Sequence, residues 1–568
     1  MPSDLLLLLG LFPLTAAGTA WPLAARLELA PAEKAVAGVM LSLLIAYLFA
    51  WAGYLLALPI ALLWVLPGLG ATGLLAGGRA LATVARDPVV RTLVPAQVGV
   101  TLWCVGWLFL VPSYSGGMWL ADWFGHWDRT VFFLAQLKGN YLFYGFDRLT
   151  SRPPLVNVLA GALLGDRAFF AGFQLALTLL GSLAFLPAAL LAHRWGGRRA
   201  IAGLAVLAML NPAFLQNATY AWTKLPAAFF LLTALYFFLR ARDATPPAIA
   251  PTLAAVALAL AILAHYSAVP YAVLLVAGWW LLRPGSNPTG LPPRAIAGAA
   301  MAGALVLATW FGWTLASFGF AGTFLTNTTV TDIAPSPGAQ LQTMALNLRD
   351  TIVPHFLRAV DFTPLAQTSV SGWWRDWFFQ LYQLNVFFML GSAGWLVVLR
   401  ELRRAGVGVA PARRRFWLLF VAGSVVLGVV VHSGRNPWGL AHICLQPLVL
   451  LGLAFLAGRW AGLGRGWQRW LVAGVTLDGL LGVLLHFGVQ GGFIDRWLVP
   501  ADPADGVTPV YSLFAQRNLE AKLAHQYVFA GDFGARHAGP VAAGLAVLLV
   551  AALVPLLRPA ASPVPRSP

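Results

Sequence analysis

Residues 168–199 read AFFAGFQLALTLLGSLAFLPAALLAHRWGGRR. The apolar run from Ala168 to Ala192 is long enough to cross a hydrocarbon core, which takes about 20 apolar residues. It ends in a short loop carrying Arg194, Arg198 and Arg199. The same unit, an apolar run closed by a short basic loop, recurs along the chain. Candidate spans lie at 5–24, 35–53, 56–77, 93–111, 168–192, 200–216, 222–240, 249–266, 268–283, 295–317, 385–400, 416–432, 440–458, 470–489 and 540–557. Residues 35–64 also read as one long tilted helix. Met1 to Trp21 resembles a signal peptide, but Asp4 stands where a basic leader is needed, so this segment reads as a retained span.

The composition agrees. Of 568 residues, 59% are hydrophobic and 10% charged, with a mean hydropathy of +0.76. Soluble domains carry about 25% charged residues, so a water-soluble globule and a disordered chain are both excluded. The predicted fold is an all-α polytopic integral membrane protein with about 13–15 transmembrane helices. Interfacial helices are expected in its first long outer loop. Cys104 and Cys444 lie in apolar runs, outside any metal-ligand spacing, and read as small core residues.

The net charge of +17 is not spread evenly. Alternate loops hold Arg194 to Arg199, Arg240 and Arg242, Arg283 and Arg294, Arg400 to Arg415, Arg459 to Arg469, and Arg558 and Arg566. With Arg26, Lys34, Arg79, Arg86 and Arg91, this side has 23 basic and five acidic residues. The other side has 14 of each. An excess of arginine on one side marks the cytoplasmic loops of a membrane protein. It requires no nucleic-acid partner.

The opposite side carries the long polar segments 112–167, 318–384 and 490–539, which places the chemistry there. The organisation is therefore N-terminal extra helices (1–92), a catalytic core with its first outer loop (93–317, loop 112–167), an outer loop (318–384), C-terminal helices (385–489), a further outer loop (490–539), and a last helix with a cytoplasmic tail (540–568). No internal repeat recurs at a fixed period.

The first outer loop opens with Trp119-Leu-Ala-Asp122-Trp123-Phe-Gly-His126-Trp127-Asp128-Arg129. As a helix it puts Asp122, His126 and Arg129 on one stripe and Trp119, Trp123 and Trp127 on the next, the spacing of a helix lying on a membrane. Asp128 falls elsewhere. The chemical reading makes Asp122 a catalytic carboxylate beside His126 and Arg129, whereas the plain alternative is a solvated polar face. Further on stands Arg152-Pro153-Pro154-Leu155, where the prolines set a turn and a helix start. The apolar run 155–164 is too short to span and reads as a second interfacial or re-entrant helix.

An acidic residue in the first outer loop, followed by Arg-Pro-Pro-Leu and a polytopic remainder, resembles the GT-C superfold of membrane glycosyltransferases. The likeness is to bacterial relatives of the protein O-mannosyltransferase and aminoarabinose-transferase branch, and it is strongest from about residue 93 to 283. It implies a sugar donor on a polyprenyl phosphate, with Asp122 as general base by position. Trp123 stands where many relatives have a second acidic residue, and Asp128 is out of phase to replace it.

Such a reaction needs cations for the phosphate, and arginine binds two oxygens at once. The outer ends of the spans supply Lys224, one of four lysines against 33 arginines, and Arg435 in His432-Ser-Gly-Arg435-Asn-Pro-Trp438-Gly-Leu-Ala-His442. Lys224, Arg435 and Arg152 are the expected phosphate contacts. His126, Asp128, Arg129, Tyr220, His265 and His442 are the expected donor- or acceptor-site residues. Asp478, in mid-span, has no assigned role. No His, Asp or Glu cluster has metal spacing and no nucleotide-binding motif occurs, so neither a resident metal nor a cofactor is expected. The expected partners are the lipid-linked sugar, membrane lipids and an acceptor of unspecified class, in the plasma membrane with the site facing outward. Two other readings compete. One is a ligase or polymerase of lipid-linked oligosaccharide that relies on Arg435 and His442. The other is a lipid or solute transporter, which should carry polar groups at mid-depth and structural repeats.

Overall fold

The computed structural model describes residues 2–110, 120–143, 147–243, 245–282, 292–325, 336–352, 394–405, 411–431, 445–484 and 531–557. They form helices in the order α1 (Pro2–Pro13), α2 (Trp21–Arg26), α3 (Pro31–Leu55), α4 (Val65–Ala76), α5 (Gly78–Arg86), α6 (Val90–Leu110) and α7 (Leu120–Leu134). A two-stranded hairpin follows, β1 (Leu142–Phe143) and β2 (Asp147–Arg148), with Leu142 opposite Arg148. Then come α8 (Leu155–Leu164), α9 (Phe170–Ser182), α10 (Phe185–Gly196), α11 (Arg198–Leu210), α12 (Pro212–Thr219), α13 (Lys224–Arg240), α14 (Ala250–Ala264), α15 (Val269–Leu281) and α16 (Pro293–Phe320). The chain continues with α17 (Pro337–Ile352), α18 (Gly394–Ala405), α19 (Pro411–Val431), α20 (Gln446–Arg459), α21 (Arg465–Val483) and α22 (Gly531–Leu557).

Helices α9, α10 and α13 form the centre, and the apolar stretch from Phe170 to Ala192 is entirely buried. The outer helices have the opposite surface. Met301 and Leu305 on α16 and Val547 and Val550 on α22 are more than half exposed. Apolar surface of that extent is stable only against lipid, so the chain is a polytopic helical membrane protein.

Six helical stretches among the described residues are long and apolar enough to span a membrane, and two bent pairs bring the number to eight. Among the described residues, breaks interrupt some of the expected spans, and others run partly outside the described residues. The expected span 200–216 is bent by 71° where α11 meets α12. Pro212 cannot continue the hydrogen bonding of α11, and the Asn211 side chain accepts from Phe214 N at 2.8 Å to start a new helix. The expected span 56–77 runs on into a 72° bend before α5. Helices α14 and α15 are apolar but shorter than a full crossing.

Helix α8 begins at Leu155, directly after the two prolines, as the sequence predicts. All of its residues are buried, packed against α3, α7 and α9. Of the expected aromatic stripe of α7, only the Trp127 side chain lies within the described residues. Trp127 packs on Phe170 and Phe173, with ring centroids 5.8 and 5.4 Å apart. The ring is half-buried, with protein on one side. Gly70 shows how tightly the N-terminal helices cross, since a Cβ there would lie 2.0 Å from the Leu14 carbonyl oxygen. Small residues allow this backbone approach in membranes.

Polar contacts between connections sort the helix ends into two sets. At the arginine-rich end, Arg240 binds the buried Glu33, Tyr236 donates to the same carboxylate at 2.8 Å, and Arg194 and Arg240 both pair with Asp243. Burial raises the pKa of the Asp243 carboxyl, but the hydrogen bonds from the two arginines outweigh it and hold the group below its ordinary range. At the opposite end, Tyr54 donates to Leu137 O at 2.8 Å and Lys138 donates to Tyr54 O at 3.0 Å. Arg167 reaches Asp4 at 3.4 Å. Each of these pairs joins residues that the charge pattern had put on one side.

Candidate functional site

The end opposite the arginine-rich loops is organised by α7. His126 and Arg129 are buried, so the stripe they share is not a solvated face. Asn157 of α8 explains why His126 tolerates burial: its Oδ1 accepts from His126 Nδ1 at 3.2 Å. Arg129 is 2% exposed and acts as a staple. Its Nη1 donates to Gly125 O at 3.0 Å, and its Nη2 donates to Arg148 O and Ser151 Oγ, each at 3.2 Å. Its guanidinium carbon lies 4.3 Å from the Phe143 ring centre. Helix α7 is thereby fixed to the hairpin and to the segment leading to Arg152. Asp128, on another face, is half-buried. Asp122 lies within α7 one turn before His126, and its side chain is outside the described atoms.

Arg152 has extended backbone, which the following Pro153 enforces, and its side chain is half-buried. Thr150, two residues before it, is held from three directions. Its carbonyl accepts from the Tyr266 hydroxyl at 3.2 Å, its Oγ1 donates to Gly322 O at 2.8 Å, and its N–H reaches Asn140 Oδ1 at 3.4 Å. Trp310 Nε1 donates to the same Tyr266 hydroxyl at 3.0 Å. So the short segment 148–151 that leads to Arg152 is held from one side by Arg129 and from the other by Tyr266, a tyrosine that sequence reasoning did not assign. The available signal was its position directly after His265.

His265 ends α14 in extended conformation and caps the turn Tyr266–Ala268. Its Nδ1 accepts from Ser267 N at 3.1 Å and lies 2.8 Å from Ser267 Oγ. In the neutral ring this leaves the proton on Nε2, which becomes a donor.

Lys224 is the first residue of α13 and is 5% exposed. Its Nζ sits 3.8 Å from the Trp222 ring centre, and the Trp222 and Tyr220 rings are 4.2 Å apart. A cation at a helix N-terminus faces the positive end of the dipole, so helix stability does not explain the choice of lysine. Buried charge at membrane depth points to function. Helix α13, which Lys224 opens, also packs against the turn Tyr266–Ala268. Below it, Gln446 Nε2 donates to Asn217 Oδ1 at 3.2 Å and ties α12 to α20. Sequence reasoning passed over Asn157, Ser151 and Gln446, which in isolation are ordinary polar residues in apolar runs.

Arg435 and His442 lie outside the described residues. Asp478 is buried in α21, the helix that packs against α12. Among the described residues, no three His, Cys, Asp or Glu side chains form a group able to hold a metal.

No protein-family model matches the chain, and no curated protein resembles it significantly. Among solved structures it is similar to ArnT from Cupriavidus metallidurans bound to undecaprenyl phosphate, at 15% identity and a TM-score of 0.45 over 83% of this chain and 78% of that one. It is also similar to the apo state of that protein, at 17% identity and a TM-score of 0.45 over 81% and 76% of the two chains.

Proposed function

We propose that this protein is a membrane glycosyltransferase of the GT-C type. It moves a sugar from a polyprenyl phosphate to an acceptor hydroxyl on the extracytoplasmic side of the plasma membrane. The observation that supports the reading is that Tyr266, whose hydroxyl is hydrogen-bonded to Thr150 O two residues before Arg152, belongs to the turn that packs against α13, the helix that buried Lys224 opens. Cationic side chains from separate segments, sunk below the protein surface, suit a phosphate whose lipid tail stays in the bilayer.

In this reading Asp122 takes the proton of the acceptor hydroxyl. The acceptor oxygen then attacks the anomeric carbon, the bond from that carbon to the phosphate oxygen breaks, and polyprenyl phosphate leaves. The anomeric configuration inverts. Arg152 and Lys224 hold the phosphate as negative charge grows on it, and Arg129 holds the Arg152 segment in place. Energy arrives in the phosphate ester of the donor.

The test is release of polyprenyl phosphate by the purified chain in proteoliposomes, with a panel of synthetic decaprenyl-phosphate sugars and hydroxyl acceptors. Acceptor-dependent release is expected with at least one sugar. Lys224→Ala should lower it by about 10–100-fold, as loss of a charged contact to a developing anion does. Saturable solute flux without release from any donor would favour a transporter and refute the proposal.

A further inference from the structure

We infer that the arginine-rich end carries a specific binding site for the phosphate of an anionic phospholipid, built around Glu401. This site is independent of the transfer reaction. Glu401, near the end of α18, is 1% exposed. Three arginines converge on its carboxylate: Arg400 at 3.1 Å, Arg404 at 3.6 Å and Arg459, from the last turn of α20, at 3.7 Å. Only Arg400 is within hydrogen-bond reach. Arg404 and Arg459 are near enough to feel the charge and too far to spend their donors on it. The Arg459 Nε–H is buried with no acceptor among the described residues.

The charge does not balance. Three guanidiniums against one carboxylate leave two positive charges. The C-termini of α18 and α20 contribute about half a negative charge each, and the N-terminus of α21 about half a positive one, so a clear excess remains. The other network at this end is different. Arg194 and Arg240 face Glu33 and Asp243, two charges of each sign. The excess is therefore local to the Glu401 site, beyond the general bias of this end.

The surroundings identify the source of the phosphate. Trp467 lies under Arg400, 4.7 Å from ring centre to guanidinium carbon, and Trp470, one turn on, is 63% exposed. Tryptophan favours the headgroup level of a bilayer. On the preceding turns of α18, Leu396 and Leu399 are each more than half exposed. A cationic site that continues into an exposed apolar helix face fits a phosphate with acyl chains attached. A free phosphate would have no use for that face. Basic pockets between helices commonly hold such headgroups.

The experiment uses the full chain in detergent, with thermal unfolding and native mass spectrometry. The probes are phosphatidylglycerol, phosphatidylcholine and sodium phosphate. Phosphatidylglycerol is expected to raise Tm and remain bound, and the other two to do neither. Arg404→Gln and Arg459→Gln, both at partly exposed positions, should each weaken phosphatidylglycerol binding by about fivefold. Glu401→Gln should move it in the opposite direction. Equal Tm shifts with both lipids, or an undiminished shift in the Arg404→Gln/Arg459→Gln double variant, would overturn the site. A shift reproduced by sodium phosphate would overturn its assignment to lipid.

Discussion

Asp122→Asn is expected to lower sugar transfer by about 10²–10⁴-fold, the usual worth of a positioned general base, with donor binding changed by less than about threefold. The asparagine keeps the size of the side chain and loses the basic oxygen. Asp122 sits in α7 at the helical spacing of His126 and Arg129, whose side chains turn into the protein toward Asn157 and Ser151. The proposal that Asp122 is the base rests on that sequence register. Single-turnover transfer and a separate donor-binding measurement distinguish base from binding group. Unchanged transfer in Asp122→Asn would exclude Asp122 as the base and give precedence to the ligase reading, in which His442→Ala is the damaging change.

Arg129→Ala should be the most damaging substitution to the structure of the site. It removes three hydrogen bonds to Gly125, Arg148 and Ser151 and the contact with the Phe143 ring. It also leaves a cavity where the side chain was buried, although Arg148 O keeps its hydrogen bond from Ser151 Oγ. Together these are expected to cost about 3–5 kcal/mol, read as a fall in Tm of the detergent-solubilised chain. Arg129→Lys keeps the charge but lacks the fork that reaches Gly125 O and Ser151 Oγ together, so its loss should be intermediate. Transfer should fall alongside stability in both variants, because Arg129 holds the segment that carries Arg152. Loss of transfer at unchanged Tm would instead make Arg129 a direct phosphate contact.

These two residues also show where the sequence was informative. The 3.6-residue period put His126 and Arg129 on one stripe, and the structure keeps them there. What period alone left open was whether that stripe meets water or protein. The answer depends on Asn157, Ser151 and the Arg148 carbonyl, between 19 and 31 residues away. Helix α8 presents the same problem. Its start at Leu155 was written in Pro153 and Pro154, whereas its complete burial depends on α3, α7 and α9 closing over it. Hydropathy reports that a segment avoids water and does not say whether lipid or protein replaces it. The bend at Asn211 was legible in principle, since Asn-Pro is a cap and a helix start, but within a long apolar run hydropathy dominated. For the described pairs, the grouping of helix ends agrees with the charge pattern, because loop arginines are distributed by membrane side and not by tertiary packing.

A structure of the full chain with a polyprenyl phosphate bound tests the proposed function most directly. The lipid phosphate should lie within hydrogen-bond distance of Arg152 and Lys224, at the end that holds α7 and the Tyr266 turn. A phosphate bound only at the arginine-rich end, with Arg152 and Lys224 untouched, would contradict it.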